Sequence, residues 1–232
     1  MQLGVKDAAS LFNVSEKTIY RWIRQGKLPA YRVNEQYRFN RSELLEWATS
    51  CKIGVSPEIM RERDEGDGAP PRLDEALKAG GIFYRIDGSD KAAVLRSVVE
   101  HMRLPAEVDR DFLYQVLLAR ESLGSTAIGD GIAIPHVRNP IVLHITHPSI
   151  TLCFLEKPID FDALDGQPVE VLFTLISPTV RSHLNLLSRL AFALKDPRFK
   201  AAVTHQHSRE EILIEARRVE ESIPSTTPGS GA

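Results

Sequence analysis

The first fifty residues of this 232-residue chain place apolar side chains at helical spacing. Residues 5–12 form a short amphipathic stretch, and a turn signal follows it. Ser15 is suited to cap a second helix that runs to about Gln25, and Gly26 is a typical stop signal. In that second helix, three apolar residues are spaced to face inward: Ile19, Trp22 and Ile23. The pattern predicts a helix-turn-helix.

The apolar period changes to two over residues 28–39, on either side of Asn34-Glu35. This alternation predicts two short strands joined as a hairpin wing. The segment Asn40-x-x-Glu43 is a capping-box variant, and it predicts a third helix with apolar positions Leu44, Leu45 and Trp47. Residues 1–50 are therefore predicted to form a small, mainly α winged helix-turn-helix domain.

Two segments lack the apolar positions that a packed core needs. Residues 51–72 are charged and rich in Gly and Pro, and residues 223–232 consist largely of Ser, Thr, Pro and Gly. We expect a flexible linker in the first segment and a disordered tail in the second.

Residues 73–222 mix helical and strand periods. The predicted strands include 82–86, 149–155 and 169–176. The predicted helices are 74–79, one capped by Ser89 or Asp90, one capped by Asp109 or Asp111, 181–194, and one opened by the capping box Ser208-x-x-Glu211. This order predicts an α/β domain with a mixed sheet flanked by helices.

The formal charge of −2 conceals an uneven distribution. Residues 1–52 carry nine Lys and Arg against five Asp and Glu, a net charge of +4, and the remainder carries −6. A basic segment on an acidic one suggests different partners for the two parts. The apolar runs are too short for membrane insertion and the start has no secretory signal, so we expect a cytoplasmic protein.

The cysteines and most of the histidines do not suggest a metal site. Cys51 and Cys153 are isolated, and Cys153 lies in an apolar strand, where we expect it in the core. The pairs His144-x-x-His147 and His205-x-His207 lack further ligands at suitable spacing. There is also no Gly-rich nucleotide loop, so we expect no metal and no cofactor.

A short apolar strand signal over residues 129–136, Gly-Asp-Gly-Ile-Ala-Ile-Pro-His, ends in a histidine. Pro135 favours an extended Ile134 and supplies no N–H, so His136 is predicted at the strand end, at a sheet edge. A neutral imidazole is a nucleophile, and an exposed, oriented ring can accept a phosphoryl group without a separate base. The alternative is a structural histidine held by one backbone hydrogen bond.

Arg120 and His183 complete a candidate constellation. Phosphoryl transfer depends on positioning and charge stabilisation, so a nucleophile, a fixed guanidinium and a second N–H donor form a minimal set. Two segments carry a family resemblance: Arg120-Glu-Ser-Leu-Gly-Ser-Thr-Ala-Ile-Gly-Asp-Gly-Ile-Ala-Ile-Pro-His136 and Ser182-His183-Leu-Asn-Leu-Leu. Over about residues 73–222, the chain resembles the IIA domain of the fructose/mannitol and nitrogen-regulatory class of the phosphoenolpyruvate-dependent sugar phosphotransferase system.

This resemblance implies a role for each of the three residues. His136 would be phosphorylated by an HPr-type phosphocarrier or its nitrogen-branch relative, Arg120 would neutralise the phosphoryl oxygens, and His183 would donate a hydrogen bond to them. Val137 departs from the family, which often has Gly after the histidine. A β-branched side chain there would narrow the access of a protein donor.

The second predicted helix and the wing carry the candidate DNA contacts: Lys17, Thr18, Arg21, Arg24, Arg32 and Arg38. Over nearly all of residues 1–50, the chain resembles the winged helix-turn-helix of the excisionase/MerR-like group. The alternative is a small helical domain whose charges are only solvated. A domain of this size makes few phosphate contacts, so site selection implies a homodimer or a second DNA-binding partner.

The sequence thus leads to the hypothesis of a phosphorylation-responsive, DNA-binding regulator. Phosphorylation would add about −1.5 to −2 charges to an already acidic segment and alter its docking to the basic segment or to a regulated protein partner. Two alternatives stay open. The chain could be a sugar-transport component that passes phosphate to a IIB protein, or a non-phosphorylated interaction module with a IIA fold.

Overall fold

The computed structural model describes residues 2–33, 36–40, 44, 47–48, 71–137 and 145–223. The predicted linker up to position 70 and the predicted tail from position 224 lie outside the described residues. Within the described ranges, none of the helices combines the length and apolar character needed to cross a bilayer.

The N-terminal segment has the predicted helix-turn-helix. Helix α1 (Val5–Leu11) is followed by α2 (Glu16–Arg24), and the Ser15 hydroxyl caps α2 by accepting a hydrogen bond from the Thr18 N–H at 3.3 Å. The buried side chains include Ile19, which the spacing had placed inward. The two helices therefore form for the reasons visible in the sequence, an N-cap and an inward apolar stripe.

The wing is also confirmed, with one addition. Strands β2 (Tyr31–Val33) and β3 (Gln36–Asn40) pair antiparallel, and β3 also pairs with β1 (Gln2–Leu3), so that β3 is central in a three-stranded sheet. A two-residue strand carries no periodicity that a sequence could reveal. Of the predicted third helix, positions 44 and 47–48 are helical, and residues 41–43 and 45–46 lie outside the described residues.

The described residues of 71–137 and 145–223 form the predicted α/β domain, built on a mixed five-stranded sheet. The strand order is β4-β7-β8-β6-β5, in which β6 runs parallel to β8, and β7 antiparallel to it. The strands are β4 (Ile82–Ile86), β5 (Ala127–Gly129), β6 (Ile132–Ala133), β7 (Ser149–Ile159) and β8 (Val169–Ile176). Strand β7 extends four residues beyond its predicted end, with exposed side chains at 156–158.

Six helices of this domain cover the two faces of the sheet: α3 (Leu73–Gly80), α4 (Lys91–His101), α5 (Arg110–Ser122), α6 (Val180–Ala193), α7 (Pro197–Thr204) and α8 (Arg209–Ser222). Apolar residues of α3, α6, α7 and α8 pack with Phe173 and Leu175, whereas those of α4 and α5 pack with Leu172 and Ile176. Neighbouring residues of β8 thus face opposite layers, as the alternation of a strand requires.

The helix caps settle two choices that the sequence left open. Asp90 caps α4 and Asp109 caps α5 through backbone N–H groups at 2.9 and 3.0 Å. The predicted capping box of Ser208 and Glu211 opens α8. Helix α7 was not predicted, although Asp196-Pro197, a cap followed by a proline in the first turn, signals it.

A buried ion pair ties three helices of one layer together. The Glu220 carboxylate of α8 accepts hydrogen bonds from Arg189 of α6 and, at 2.9 Å, from the Leu73 N–H at the start of α3. Burial raises the pKa of the Glu220 carboxyl, although the Arg189 charge and the Leu73 N–H oppose the rise. Removing one partner of such a pair leaves a buried charge without compensation.

Gly80 allows α3 to approach the sheet closely. A Cβ atom at this position would lie 2.3 Å from the Ile150 carbonyl oxygen of β7, and its backbone has no positive φ that would itself demand glycine. Side-chain rotation cannot relieve a contact between a Cβ atom and a backbone oxygen. The absence of a side chain at Gly80 therefore sets the distance between α3 and β7.

We expect Gly80→Ala to lower the free energy of unfolding by about 1–3 kcal/mol, because α3 must move away from the sheet. Urea unfolding followed by circular dichroism measures this change. The control is Lys78→Ala on the same helix, whose side chain is exposed, with an expected change within about 0.5 kcal/mol. Equal stability of Gly80→Ala and the parent would contradict the close approach.

Candidate functional site

Four chain segments meet at one edge of the α/β sheet. Strands β6 and β8 are parallel and end at this edge, and β5 and β7 begin there because each is antiparallel to its neighbour. The segments are the end of β6 with His136, the end of β8 leading to α6, the start of β5 after α5, and the start of β7. This topology brings together segments that are distant in sequence.

His136 lies just past β6 and extends its pairing with β8. It forms an isolated parallel bridge with Leu175, and the Leu175 N–H donates to the Pro135 carbonyl at 3.1 Å. The prediction that His136 follows the strand end is confirmed. The predicted position on an edge strand is wrong, because β6 is an interior strand between β8 and β5. The edge at which His136 lies is the one formed by the carboxyl ends of β6 and β8.

The expectation of an exposed His136 ring is wrong, because the residue is only 4% exposed. The ring shares its face of the sheet with α6, and it contacts the His183 ring at a centroid distance of 5.2 Å. Its Nδ1 lies 2.7 Å from the Ile134 carbonyl oxygen. A carbonyl only accepts, so Nδ1 carries the proton and the neutral ring has its lone pair on Nε2.

His183 enters the site from the first turn of α6. The Thr179 hydroxyl caps this helix at the Ser182 N–H, 3.1 Å away, and the Ser182 hydroxyl returns a hydrogen bond to the Thr179 carbonyl. His183 is 2% exposed. Because the first turn of a helix presents N–H groups and a positive dipole end, this position favours an anion near the two rings.

Arg120 reaches the same edge from the last turn of α5. Its Nη1 donates to the Gly124 carbonyl at 2.9 Å, in the loop that leads to β5. Two residues further, the Thr126 carbonyl accepts from the Ile134 N–H at 3.0 Å, next to the His136 segment. The structure therefore places all three predicted residues at one edge, with the two histidine rings in contact and Arg120 held by the adjacent loop.

The buried Glu121 carboxylate was missed by the sequence reasoning, although it directly follows Arg120. It accepts hydrogen bonds from the Thr126 hydroxyl at 2.6 Å and from the Thr126 N–H at 3.2 Å. The Lys91 ammonium lies 3.4 Å away and also contacts Asp162 at 2.7 Å. Burial lowers the pKa of Lys91, but Asp162 and Glu121 outweigh that effect and leave the pKa raised.

Val137 does not lie over the His136 ring. Its side chain is buried in the layer formed with α4 and α5, together with Ala133 and Leu172, whereas the ring contacts His183 of the opposite layer. The expected narrowing of donor access by a β-branched residue therefore has no direct steric basis here. Cys153 is fully buried as expected, and burial raises the pKa of its thiol to about 12.

The other histidines do not form a metal centre in the part of the chain that is described. His205 and His207 have ring centroids 6.1 Å apart, and no three His, Cys, Asp or Glu side chains gather there as ligands. His144 lies outside the described residues.

The candidate DNA surface of α2 is partly as predicted. Lys17, Arg21 and Arg24 are exposed, whereas Thr18 is half-buried and its hydroxyl lies 3.1 Å from the Ser15 hydroxyl. Thr18 thus contributes to the cap of α2 as well as to its surface. Arg38 on the wing donates to the Gln36 side chain at 2.7 Å. Arg32 lies in β2, and its side chain is outside the described part of the structure.

An aromatic contact joins α2 to the wing. The rings of Tyr20 and Tyr37 meet edge to face at 6.1 Å, and Tyr20 is 43% exposed. The sequence reasoning did not single out this pair, because the two residues lie on different elements. The contact fixes the wing relative to the basic face of α2.

Comparisons with known proteins agree with this two-part organisation. Residues 75–216 match the family "Phosphoenolpyruvate-dependent sugar phosphotransferase system, EIIA 2", and residues 3–52 match a helix-turn-helix domain family. The chain is 39% identical over 127 residues to the nitrogen regulatory protein of Pseudomonas aeruginosa, covering 53% of this chain and 80% of that protein. It is 36% identical over 143 residues to that of Escherichia coli, covering 61% and 86%.

A solved structure shows the same fold. The nitrogen regulatory protein IIA-Ntr of Neisseria meningitidis superposes with a TM-score of 0.55 at 27% identity, and the match covers 62% of this chain and 98% of that one. The family match spans more than half of the chain and includes the whole sheet edge described above. The chain therefore belongs to the EIIA 2 family of the phosphoenolpyruvate-dependent sugar phosphotransferase system and carries a helix-turn-helix domain at its N-terminus.

Proposed function

We propose that this protein is a DNA-binding regulator whose EIIA domain accepts a phosphoryl group on His136 from an HPr-type phosphocarrier. The observation that carries the proposal is the hydrogen bond between His136 Nδ1 and the Ile134 carbonyl. It orients the ring and leaves the nucleophilic lone pair on Nε2 in the neutral form. A histidine prepared in this way needs no general base.

The transfer step follows from this tautomer. The Nε2 lone pair attacks phosphorus, the bond from phosphorus to the donor breaks, and the donor atom keeps that electron pair. The Nδ1 proton stays in place, so the phosphorylated ring carries a positive charge that the Ile134 carbonyl stabilises. Arg120 and His183 act on the phosphoryl oxygens, where charge must be offset during transfer.

The N-terminal domain supplies the DNA-binding half of the proposal. Lys17, Arg21 and Arg24 lie exposed on α2, the helix that enters the major groove in helix-turn-helix proteins. Arg38 on the wing is the candidate for a phosphate contact. We divide the chain into a DNA-binding domain at 1–50, a linker at 51–72, an EIIA domain at 73–222 and a tail at 223–232, and we place the protein in the cytoplasm, where its donor and DNA are found.

We expect His136 to be the sole stable phosphate acceptor, because its lone pair is oriented by the Ile134 carbonyl. His136→Ala should abolish labelling by phosphoenolpyruvate and a purified phosphocarrier chain, and the label on the parent should be acid-labile and base-stable. The matched control is His205→Ala, since His205 is exposed and away from the sheet edge. Undiminished labelling of His136→Ala would contradict the assignment.

Arg120→Ala and His183→Ala should each slow phosphoryl transfer by about 10²–10³-fold, the usual effect of removing one donor to a developing anion. Rapid-quench labelling measures the rate, and circular dichroism confirms folding. His183→Gln keeps an N–H donor and should recover part of the loss. The control for Arg120 is Arg96→Ala, which removes a guanidinium that pairs with Asp111 at the surface. If both alanine variants transferred phosphate at the parental rate, Arg120 and His183 would have no role in the transfer.

Arg21→Ala in the full chain should weaken the preference for a selected duplex over a scrambled one by about 1–3 kcal/mol, the usual value of a bidentate base contact. Arg38→Ala should weaken binding to both duplexes equally and make the affinity less dependent on salt, as the loss of a phosphate contact does. Fluorescence anisotropy across a salt series, with a duplex selected from a random pool, measures both effects.

In the same titration, Arg96→Ala serves as the control, because it removes one positive charge outside the DNA-binding domain. Its affinity for both duplexes should equal that of the parent. If neither the phosphorylated nor the unphosphorylated chain bound any duplex at low salt, the basic domain would not act on DNA.

A further inference from the structure

Glu121 is a charged group buried beside the segment that carries His136. Its side chain is 2% exposed, and both carboxylate oxygens lie 3.2 Å from the Thr126 N–H. The Thr126 hydroxyl adds a bond of 2.6 Å to Oε2. One carboxylate therefore holds both donors of a single residue, Thr126, at the start of the edge strand β5.

The hydrogen bonds continue from Thr126 to the His136 ring. The Thr126 carbonyl accepts from the Ile134 N–H at 3.0 Å, and the Ile134 carbonyl accepts from His136 Nδ1 at 2.7 Å. Pro135, between these residues, has no N–H with which to fix the segment from that side. The position of the Ile134 carbonyl thus depends on Thr126, and Thr126 depends on Glu121.

The same carboxylate also fixes the loop that anchors Arg120. Glu121 closes the loop between α5 and β5 by bonding to Thr126, and within this loop the Gly124 carbonyl accepts from Arg120 Nη1 at 2.9 Å. A buried carboxylate is costly unless it is paired, and Lys91 at 3.4 Å supplies the opposite charge. Neutral side chains could close this loop without the desolvation cost of a buried carboxylate. The use of a charged group therefore suggests that Thr126 and the loop that anchors Arg120 must be held accurately.

We propose that Glu121 is a positioning residue for phosphoryl transfer, acting through Thr126 and Ile134 to hold His136 in its Nδ1–H tautomer and to place the loop that anchors Arg120. The inference rests on the proposed phosphorylation of His136. In it, Lys91 supplies the opposite charge 3.4 Å from the Glu121 carboxylate, and Glu121 itself touches no reacting atom.

The test substitutes Glu121→Gln in the full chain and measures transfer and tautomer separately. Glutamine keeps the volume but offers one acceptor to two Thr126 donors and no charge to Lys91. We expect the transfer rate at saturating phosphocarrier to fall by about 10- to 100-fold, because a reacting group misplaced by about 1 Å loses about 100-fold in rate. The phosphocarrier concentration that gives half the maximal rate should not change. Nitrogen-15 NMR of the His136 ring should show a shift from the Nδ1–H tautomer towards a mixture.

Two further variants separate positioning from stability. Thr126→Val removes only the hydroxyl and should lower the rate in the same direction, whereas Thr126→Ser keeps it and should retain most of the parental rate. The matched control is Glu220→Gln, because the Glu220 side chain is equally buried at 2% exposure and likewise accepts from a backbone N–H and a cation, but at the start of α3. It should lose stability while the His136 tautomer and the transfer rate stay parental.

The inference is overturned if Glu121→Gln, folded as judged by circular dichroism, keeps both the parental tautomer and the parental rate, or if Glu220→Gln shifts the tautomer equally. If the parent chain accepts no phosphate, the proposed function fails. The tautomer of His136 still tests the positioning role in that case. An unchanged tautomer in Glu121→Gln overturns the role, and a shift away from the Nδ1–H tautomer supports it.

Discussion

At the sheet edge where His136 and His183 meet, the orientation of the His136 ring depends on one backbone carbonyl, that of Ile134. It accepts the ring proton of His136, and it lies in a segment fixed on one side by β5 and on the other by β8. The parallel pairing of β6 with β8 brings α6 and His183 to the same edge. The antiparallel pairing of β5 with β6 does the same for the end of α5 and Arg120.

Much of the fold could be predicted from local chemistry. The caps Ser15, Asp90, Asp109 and Ser208 act through side chains a few residues from their targets, so the sequence contains the whole interaction. The two strands of the central antiparallel pair are rich in apolar and β-branched residues, and their charged residues, Glu156, Lys157 and Glu170, are exposed. Asp130 and Gly131, both in the left-handed region, form the turn between β5 and β6, and Asp-Gly is a typical hairpin signal.

The features that could not be predicted depend on contacts between distant segments. The burial of His136 requires α6, which begins more than forty residues later. The role of Glu121 in closing a loop requires Lys91 of α4 and Thr126 of the following strand, and a single glutamate on a helix gives no sign of either. Candidate nucleophiles are thus visible in a sequence, whereas their orientation is a property of the packed sheet edge.

The hydrogen bond between the Leu73 N–H and Glu220 lies at the point where the EIIA domain joins the preceding chain. Residue 73 begins the first helix after the covalent connection between the domains, and its N–H is held by Glu220, which is held in turn by Arg189 on the helix that carries His183. Tension along the chain at residue 73 would act first on this hydrogen bond and then, through Glu220 and Arg189, on α6. The start of the EIIA domain is thereby linked mechanically to the helix whose His183 ring meets His136.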